Sequence, residues 1–175
     1  WKFLERGGVQ GVQFILSIIL ARLVSPSDYG IIAILLVFIQ IANVFVQNGF
    51  NTALIQKKES DDLDFSSVFY LSLVVAGILY VILFFGAPLV SKFYKMADLT
   101  IFLRVISLTL FFGAVNSVQN AYVSKTMQFK RFFVSSMGAV TGSGIIGIVM
   151  AYKGMGVWAL VGQQISKDVL TCFIL

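Results

Sequence analysis

Long runs of residues without a charged side chain govern what this chain can become. Gly30 to Gln56 holds no charge, and neither does Phe65 to Val90 or Phe132 to Tyr152. A helix rises 1.5 Å per residue, so about 20 apolar residues cross the hydrocarbon core of a bilayer. In water such runs would have to be buried, and the rest of a 175-residue chain is too small and too apolar to bury them. Hydrophobic residues make up 58% and charged residues 12%, with a mean hydropathy of +0.92. A soluble domain carries about 45–50% apolar and about 25% charged residues. The solvent implied is lipid.

Six segments are long enough to span: roughly 4–24, 30–56, 65–90, 99–124, 132–152 and 156–175. The runs are continuous, whereas barrel strands alternate apolar and polar over about ten residues. The fold class expected is therefore all-α, a polytopic transmembrane bundle of about six helices. The first apolar stretch is too long for a cleavable signal and lacks a small-residue cleavage site. The chain opens on Trp1 and stops at Leu175 inside an apolar run, so the expectation is one lobe, residues 1–175, of a longer protein.

The connections carry helix-start chemistry. Ser25-Pro26-Ser27-Asp28 offers a capping hydroxyl, proline at the first helical position and a carboxylate three residues after the cap. Asp61, Asp62 and Asp64 place negative charge at the start of the third segment, where the helix dipole favours it, and Asp98 is expected to cap the fourth. Small residues recur at packing intervals, Gly7 with Gly11 and Gly138 with Gly142, followed by Gly144 and Gly147. That spacing lets helix backbones approach closely in lipid. A hinge in the fifth segment is the alternative.

Several functions are excluded or disfavoured by composition. The net charge of +5 is spread between the spans and not gathered into a stripe, which argues against nucleic acid. The absence of histidine rules out Ser-His and Cys-His nucleophiles and His-ligated metals within these residues, and no metal or cofactor is expected. One cysteine, Cys172, forms no intrachain disulfide. Lysine and arginine favour a cytoplasmic N-terminus: Lys2, Arg6, Lys57, Lys58, Lys125, Lys130 and Arg131 on the inside against Arg22, Lys92, Lys95, Arg104 and Lys153 outside.

Polar groups within spans are costly unless they face the bundle interior or water. Gln40, Asn43, Gln47 and Asn51 follow one another at intervals of three and four, on one face of the second helix. Gln10, Gln13 and Ser17 lie in the first segment, and Asn116, Gln119 and Asn120 in the fourth. Gln163, Gln164, Lys167 and Asp168 occupy the sixth. Interhelical hydrogen bonding would account for any one amide. Four amides in line exceed what packing needs and point to a wet cavity suited to hydroxyl-bearing solutes. Lys167 and Asp168 diverge by roughly 100° on a helix, so each looks elsewhere for a partner.

The order of landmarks resembles the polysaccharide transporter family, the Wzx-like oligosaccharide flippases of the multidrug/oligosaccharidyl-lipid/polysaccharide exporter superfamily. The resemblance rests on Ala21-Arg22-Leu23-Val24-Ser25-Pro26-Ser27-Asp28-Tyr29-Gly30 and Gly49-Phe50-Asn51-Thr52-Ala53-Leu54-Ile55-Gln56-Lys57-Lys58. It continues through Leu103-Arg104-Val105-Ile106-Ser107-Leu108, Met127-Gln128-Phe129-Lys130 and Gly154-Met155-Gly156-Val157-Trp158-Ala159-Leu160. It covers nearly the whole chain, is closest to the branch with colanic-acid-type exporters, and says nothing of the sugar. It implies two six-helix lobes about a central cavity with alternating access in a bacterial inner membrane. The implied partners are lipid-linked oligosaccharide and membrane lipids, with polysaccharide polymerase and export machinery beyond them. Under that resemblance Arg22, Gln40, Asn43, Gln47, Asn116, Asn120 and Lys167 become substrate-binding candidates. Arg22 is the first choice for pyrophosphate, against an interface arginine paired with Asp28. Asp168 is the candidate for ion coupling. The nearest rival is a multidrug/cation antiporter of the same superfamily, and a more distant one is a membrane enzyme of glycan processing. Most acidic residues are explained as helix caps and no large extramembrane loop is present to hold a catalytic site, so no enzyme is expected.

Overall fold

A computed structural model describes residues 2–47, 62–125 and 129–174, with side chains described over 7–46, 66–123 and 131–174. The described residues form seven helices: α1 (Lys2–Leu23), α2 (Pro26–Gln47), α3 (Asp62–Tyr94), α4 (Leu99–Ile106), α5 (Thr109–Lys125), α6 (Phe129–Tyr152) and α7 (Val157–Ile174). Four stretches are long and apolar enough to cross a membrane: Pro26–Val46, Ser66–Tyr94, Leu99–Val123 and Arg131–Tyr152. This is a multi-pass membrane protein. In α1 the comparable apolar stretch is shorter, Gly7–Leu23, and in α7 Gln163, Gln164, Lys167 and Asp168 dilute the apolar character of the helix. Large side chains that water would reject lie on the outside, among them Phe85, Leu89 and Phe93 at intervals of one turn along α3.

The fourth span is not one continuous α-helix. It breaks at Ser107-Leu108 into α4 and α5. The Ser107 hydroxyl donates to the Leu103 carbonyl and the Thr109 hydroxyl to that of Ile106, both buried. Backbone bonds three residues apart (Leu108 N to Val105 O, Leu110 N to Ser107 O) tighten the turn. All the freed polar groups named here stay satisfied, which lipid requires.

The chain divides into two compact units, Trp1–Ile34 with Met127–Leu175, and Leu35–Thr126. In the first, α6 packs on α7 as an antiparallel hairpin and on α1 in parallel. Parallel running is what the first and fifth crossings of an alternating chain require. Glycine makes this possible: a Cβ on Gly142 would lie 2.8 Å from Leu170 Cδ1, one on Gly147 3.0 Å from Gln163 Cβ, and one on Gly144 would meet the Leu16 side chain. Close packing is thus what the glycines of α6 do. Gly7 and Gly11 do not follow the expectation, since nothing lies within 4 Å of a Cβ at either. Their neighbour Gly8 faces Met137 instead.

In the second unit Ala42 and Val46 of α2, Ala76 of α3, and Leu110 and Ala114 of α5 form a buried core, flanked by Val75, Leu79, Leu83 and Phe111. Small residues predominate at its centre, which again brings backbones close.

Two helix ends close with the same double hydrogen-bond pattern. After α6, Gly154 N bonds Ala151 O and Met155 N bonds Met150 O, with Gly154 at φ 71°. After α3, Lys95 N bonds Lys92 O and Met96 N bonds Ser91 O, with Lys95 at φ 57°. A left-handed residue is required at this position, and glycine takes it without strain. Lysine there costs about 1–2 kcal/mol.

Candidate functional site

Among the described residues, the second unit holds four amide side chains that are at least half-buried: Asn43, Asn116, Gln119 and Asn120. Asn43 stands beside Ala42 and one turn from Val46, so its carbonyl oxygen is carried into the α2 face that packs on α3 and α5. Ser72, one turn before Ala76, is fully buried on α3. Asn116, Gln119 and Asn120 lie along α5 beyond Ala114, with Asn116 buried and the other two half-buried. The Asn43 and Asn120 carbonyl oxygens and the Ser72 hydroxyl are shielded from solvent, and no donor or acceptor among the described residues hydrogen-bonds them. Asn116 and Gln119 are engaged in interactions of their own. A buried polar atom left unbonded costs about 1–3 kcal/mol, and native proteins seldom tolerate several together.

The stripe expected on α2 divides. Gln40 is exposed, while Asn43 turns its oxygen inward. A three-residue step rotates 300°, enough to carry one amide of the row off the packed face. Gln47 closes α2 and its side chain lies outside the described residues, as do Asn51, Lys57, Lys58, Asp61 and the side chains of Asp62 and Asp64.

The other candidates belong to the first unit. Arg22 is exposed in the last turn of α1. Among the described residues no ion pair joins it to Asp28. Asp28 has a different role. Its backbone N–H donates to the Ser25 hydroxyl oxygen at 3.3 Å, as the capping sequence predicts, and Pro26 opens α2. Its carboxylate faces Gly156, where a Cβ would come within 3.0 Å of Oδ2. Gly156, at φ 53°, immediately precedes α7, so the carboxylate sits by the positive end of that helix dipole. The proline-acidic landmark and the paired-glycine landmark therefore meet in space. By contrast, Asp98 precedes α4 without a side-chain capping bond; its backbone carbonyl accepts from Ile101 and Phe102 instead.

On α7, Gln163, Gln164, Lys167 and Asp168 are all half-buried. Gln164, one turn before Asp168, and Lys167, next to it in the chain, both stand close enough to act on the Asp168 carboxylate. Lys167 also contributes its carbonyl to the Thr171 hydroxyl at 2.8 Å. No cluster of three or more metal-ligating side chains occurs among the described residues.

Arg104 is a residue whose surroundings sequence reasoning did not supply. Its Nε donates to the Phe84 carbonyl at 3.2 Å, and its guanidinium carbon lies 4.1 Å from the centre of the Phe84 ring. The missed signal was Pro88, four residues after Phe84, which has no N–H to give that carbonyl.

The profile of the family described as polysaccharide biosynthesis protein matches residues 19–175, from the last turns of α1 to the end of the chain. The chain belongs to that family. Its similarity to individual members is low but extended. It is 26% identical over 163 residues to the succinoglycan biosynthesis transport protein ExoT of Rhizobium meliloti, covering 93% of this chain and 33% of that protein. It is 20% identical over 172 residues to the lipopolysaccharide biosynthesis protein WzxC of Escherichia coli, covering 98% of this chain and 35% of that one. It is 22% identical over 88 residues to the teichuronic acid biosynthesis protein TuaB of Bacillus subtilis, covering 50% and 18%. The chain thus spans about a third of the length of the first and second of these relatives. No solved structure matches it. Within the family match lie Arg22, the amides of α2 and α5, Arg104 and the polar stretch of α7.

Proposed function

We propose that this chain is one lobe of a flippase-type transporter that carries polyprenyl-pyrophosphate-linked oligosaccharide across a bacterial inner membrane during cell-surface polysaccharide synthesis. Family membership and the names of the relatives support a transport role in that synthesis. The observation that carries the reading is the set of shielded oxygens on α2, α3 and α5, at Asn43, Ser72 and Asn120. These oxygens are closed to solvent in this conformation, and sugar hydroxyls would donate to them once an alternating-access step opens that face. A glycan and a pyrophosphate do not cross hydrocarbon unaided, whereas the polyprenyl tail stays in lipid. Amides therefore take the hydroxyls and cations take the phosphates, while a cavity between two lobes opens alternately to each side.

In this reading Arg22 and Lys167 compensate the pyrophosphate, Gln40 and Gln47 extend the amide surface, Asn116 supports it, and Asp168 with Gln164 is the place where an ion would couple. With the N-terminus in the cytoplasm, Arg22 stands at the outward end of its helix. No step here breaks a covalent bond.

The test is rescue of a flippase-null strain by the full-length protein. Arg22→Ala or Lys167→Ala should lower surface polysaccharide about tenfold at normal abundance, since a charge-assisted hydrogen bond contributes about 1.5–3 kcal/mol. Arg22→Lys should recover part of it, because an ammonium keeps the charge but not the planar fork. Normal polysaccharide from both alanine variants would remove these residues from the site.

A further inference from the structure

The guanidinium of Arg104 is fixed in place and retains unused hydrogen-bonding capacity. Pro88 sits inside α3, so the Phe84 carbonyl one turn earlier lacks its helical donor. Arg104 Nε reaches across from α4 and supplies the bond at 3.2 Å. One face of the guanidinium is covered by the Phe84 ring. That ring is itself held beside Tyr80 at 5.9 Å, and Tyr80 packs on Phe111 of α5 at 5.4 Å. A guanidinium has five N–H donors, and only the one on Nε is used. The two Nη groups form no bond, and no carboxylate pairs with the charge, among the described residues. What remains is a two-pronged fork of the geometry that takes two oxygens of one phosphate.

Depth and neighbours agree with an anion. Arg104 enters five residues into the Leu99–Val123 span, about 7 to 8 Å along the helix axis. An unpaired cation at that depth is costly unless a counter-charge reaches it. The same helix–turn–helix end bears Lys92 and Lys95, both exposed, with Asp98 as its acidic residue. Lys95 holds the left-handed position that Gly154 fills in the equivalent turn after α6.

We propose that Arg104, positioned by the Phe84 carbonyl that Pro88 leaves open, is a phosphate-binding site where α4 packs on α3 in the second unit. The ligand chemistry is a phosphate ester whose oxygens reach the guanidinium within the span. It comes either from a bilayer headgroup or from the pyrophosphate of a polyprenyl carrier, and only the carrier source rests on the function proposed above.

The test uses full-length protein in detergent and reads binding, not transport, so it reports on the site even if the protein moves some other cargo. Two probes are titrated, undecaprenyl pyrophosphate and phosphatidylglycerol. Arg104→Gln alone would also leave the Phe84 carbonyl unbonded and is open to misfolding. The decisive variant is therefore Pro88→Ala/Arg104→Gln, in which alanine restores the N–H and the helix no longer needs the arginine. The expected result is normal folding with roughly tenfold or greater loss of affinity for at least one probe. Selective loss of the pyrophosphate identifies the carrier, and selective loss of the glycerophospholipid identifies a headgroup. Pro88→Ala alone should weaken the same probe by a smaller factor, because the fork is present but no longer pinned. A well-folded double variant that binds both probes as the parent does would overturn the proposal and leave Arg104 a helix staple only.

Discussion

Replacing Asn43 and Asn120 together by leucine is expected to leave the full-length protein folded and abundant while lowering glycan translocation by roughly tenfold or more. Both side chains bury a carbonyl oxygen that no group among the described residues bonds. Leucine is close to asparagine in size and removes that unmet acceptor, so packing has little to lose and stability should be unchanged or improved. A sugar hydroxyl has everything to lose, since its acceptors vanish. Membrane abundance and thermal unfolding give the first readout and transport rate the second. If the amides served packing alone, the two readouts would fall together, and a protein that loses stability and transport in parallel would return these residues to the bundle interior.

The second large effect is structural. Gly144→Val should destabilise the first unit by about 1–3 kcal/mol or more, because its Cβ would occupy space already filled by Leu16. Leu16 is itself buried between α1 and α6, so it has little room to turn away. Leu16→Ala in the same protein should recover much of the loss, a coupling expected only between residues in contact. Gly11→Val is the control. Nothing lies within 4 Å of a Cβ there, and the change should stay within about 0.5 kcal/mol. Denaturant unfolding of the purified protein in detergent measures all three. Additive effects of Gly144→Val and Leu16→Ala would mean that the two helices do not meet as described.

These outcomes mark which inferences a sequence supports. Spans, caps and turns depend on neighbours along the chain, and they were legible. Within the described residues the long uncharged runs are helical, Ser25 caps α2, Pro26 opens it, and the glycines of α6 admit other helices. Features that depend on a partner far along the chain were not legible. Gly7 and Gly11 have the same four-residue spacing as Gly138 and Gly142, yet nothing approaches them, because α1 meets α6 through Gly8 and Leu16. Asp98 has the right chemistry for a cap and the wrong geometry, its place at the helix start being taken up by backbone bonds alone. The break at Ser107 was hidden because serine and threonine in an apolar run read as tolerated polar residues, whereas here their hydroxyls compete for helical carbonyls.

The candidate site shows the same division. Periodicity placed Gln40 and Asn43 on one stripe, but the edge of the packed face runs between them. Asp28 is expected at the start of α2, with a pairing to Arg22 only as the alternative, whereas its carboxylate faces the start of α7 across 128 residues of sequence. Arg104 was visible only as a charge near the end of a span. Its environment required knowing that Pro88, on another helix, had left one carbonyl without a donor.

The transport reading is tested most directly by translocation in vesicles. Full-length protein is reconstituted with a fluorescent polyprenyl-pyrophosphate oligosaccharide confined to one leaflet, and a membrane-impermeant glycosidase on the other side reports each glycan that arrives. The prediction is time-dependent cleavage that depends on the protein, is strongly reduced by Asn43→Leu/Asn120→Leu, and is absent from empty vesicles. Cleavage no faster with correctly folded protein than in empty vesicles, across the glycans its host makes, would contradict it.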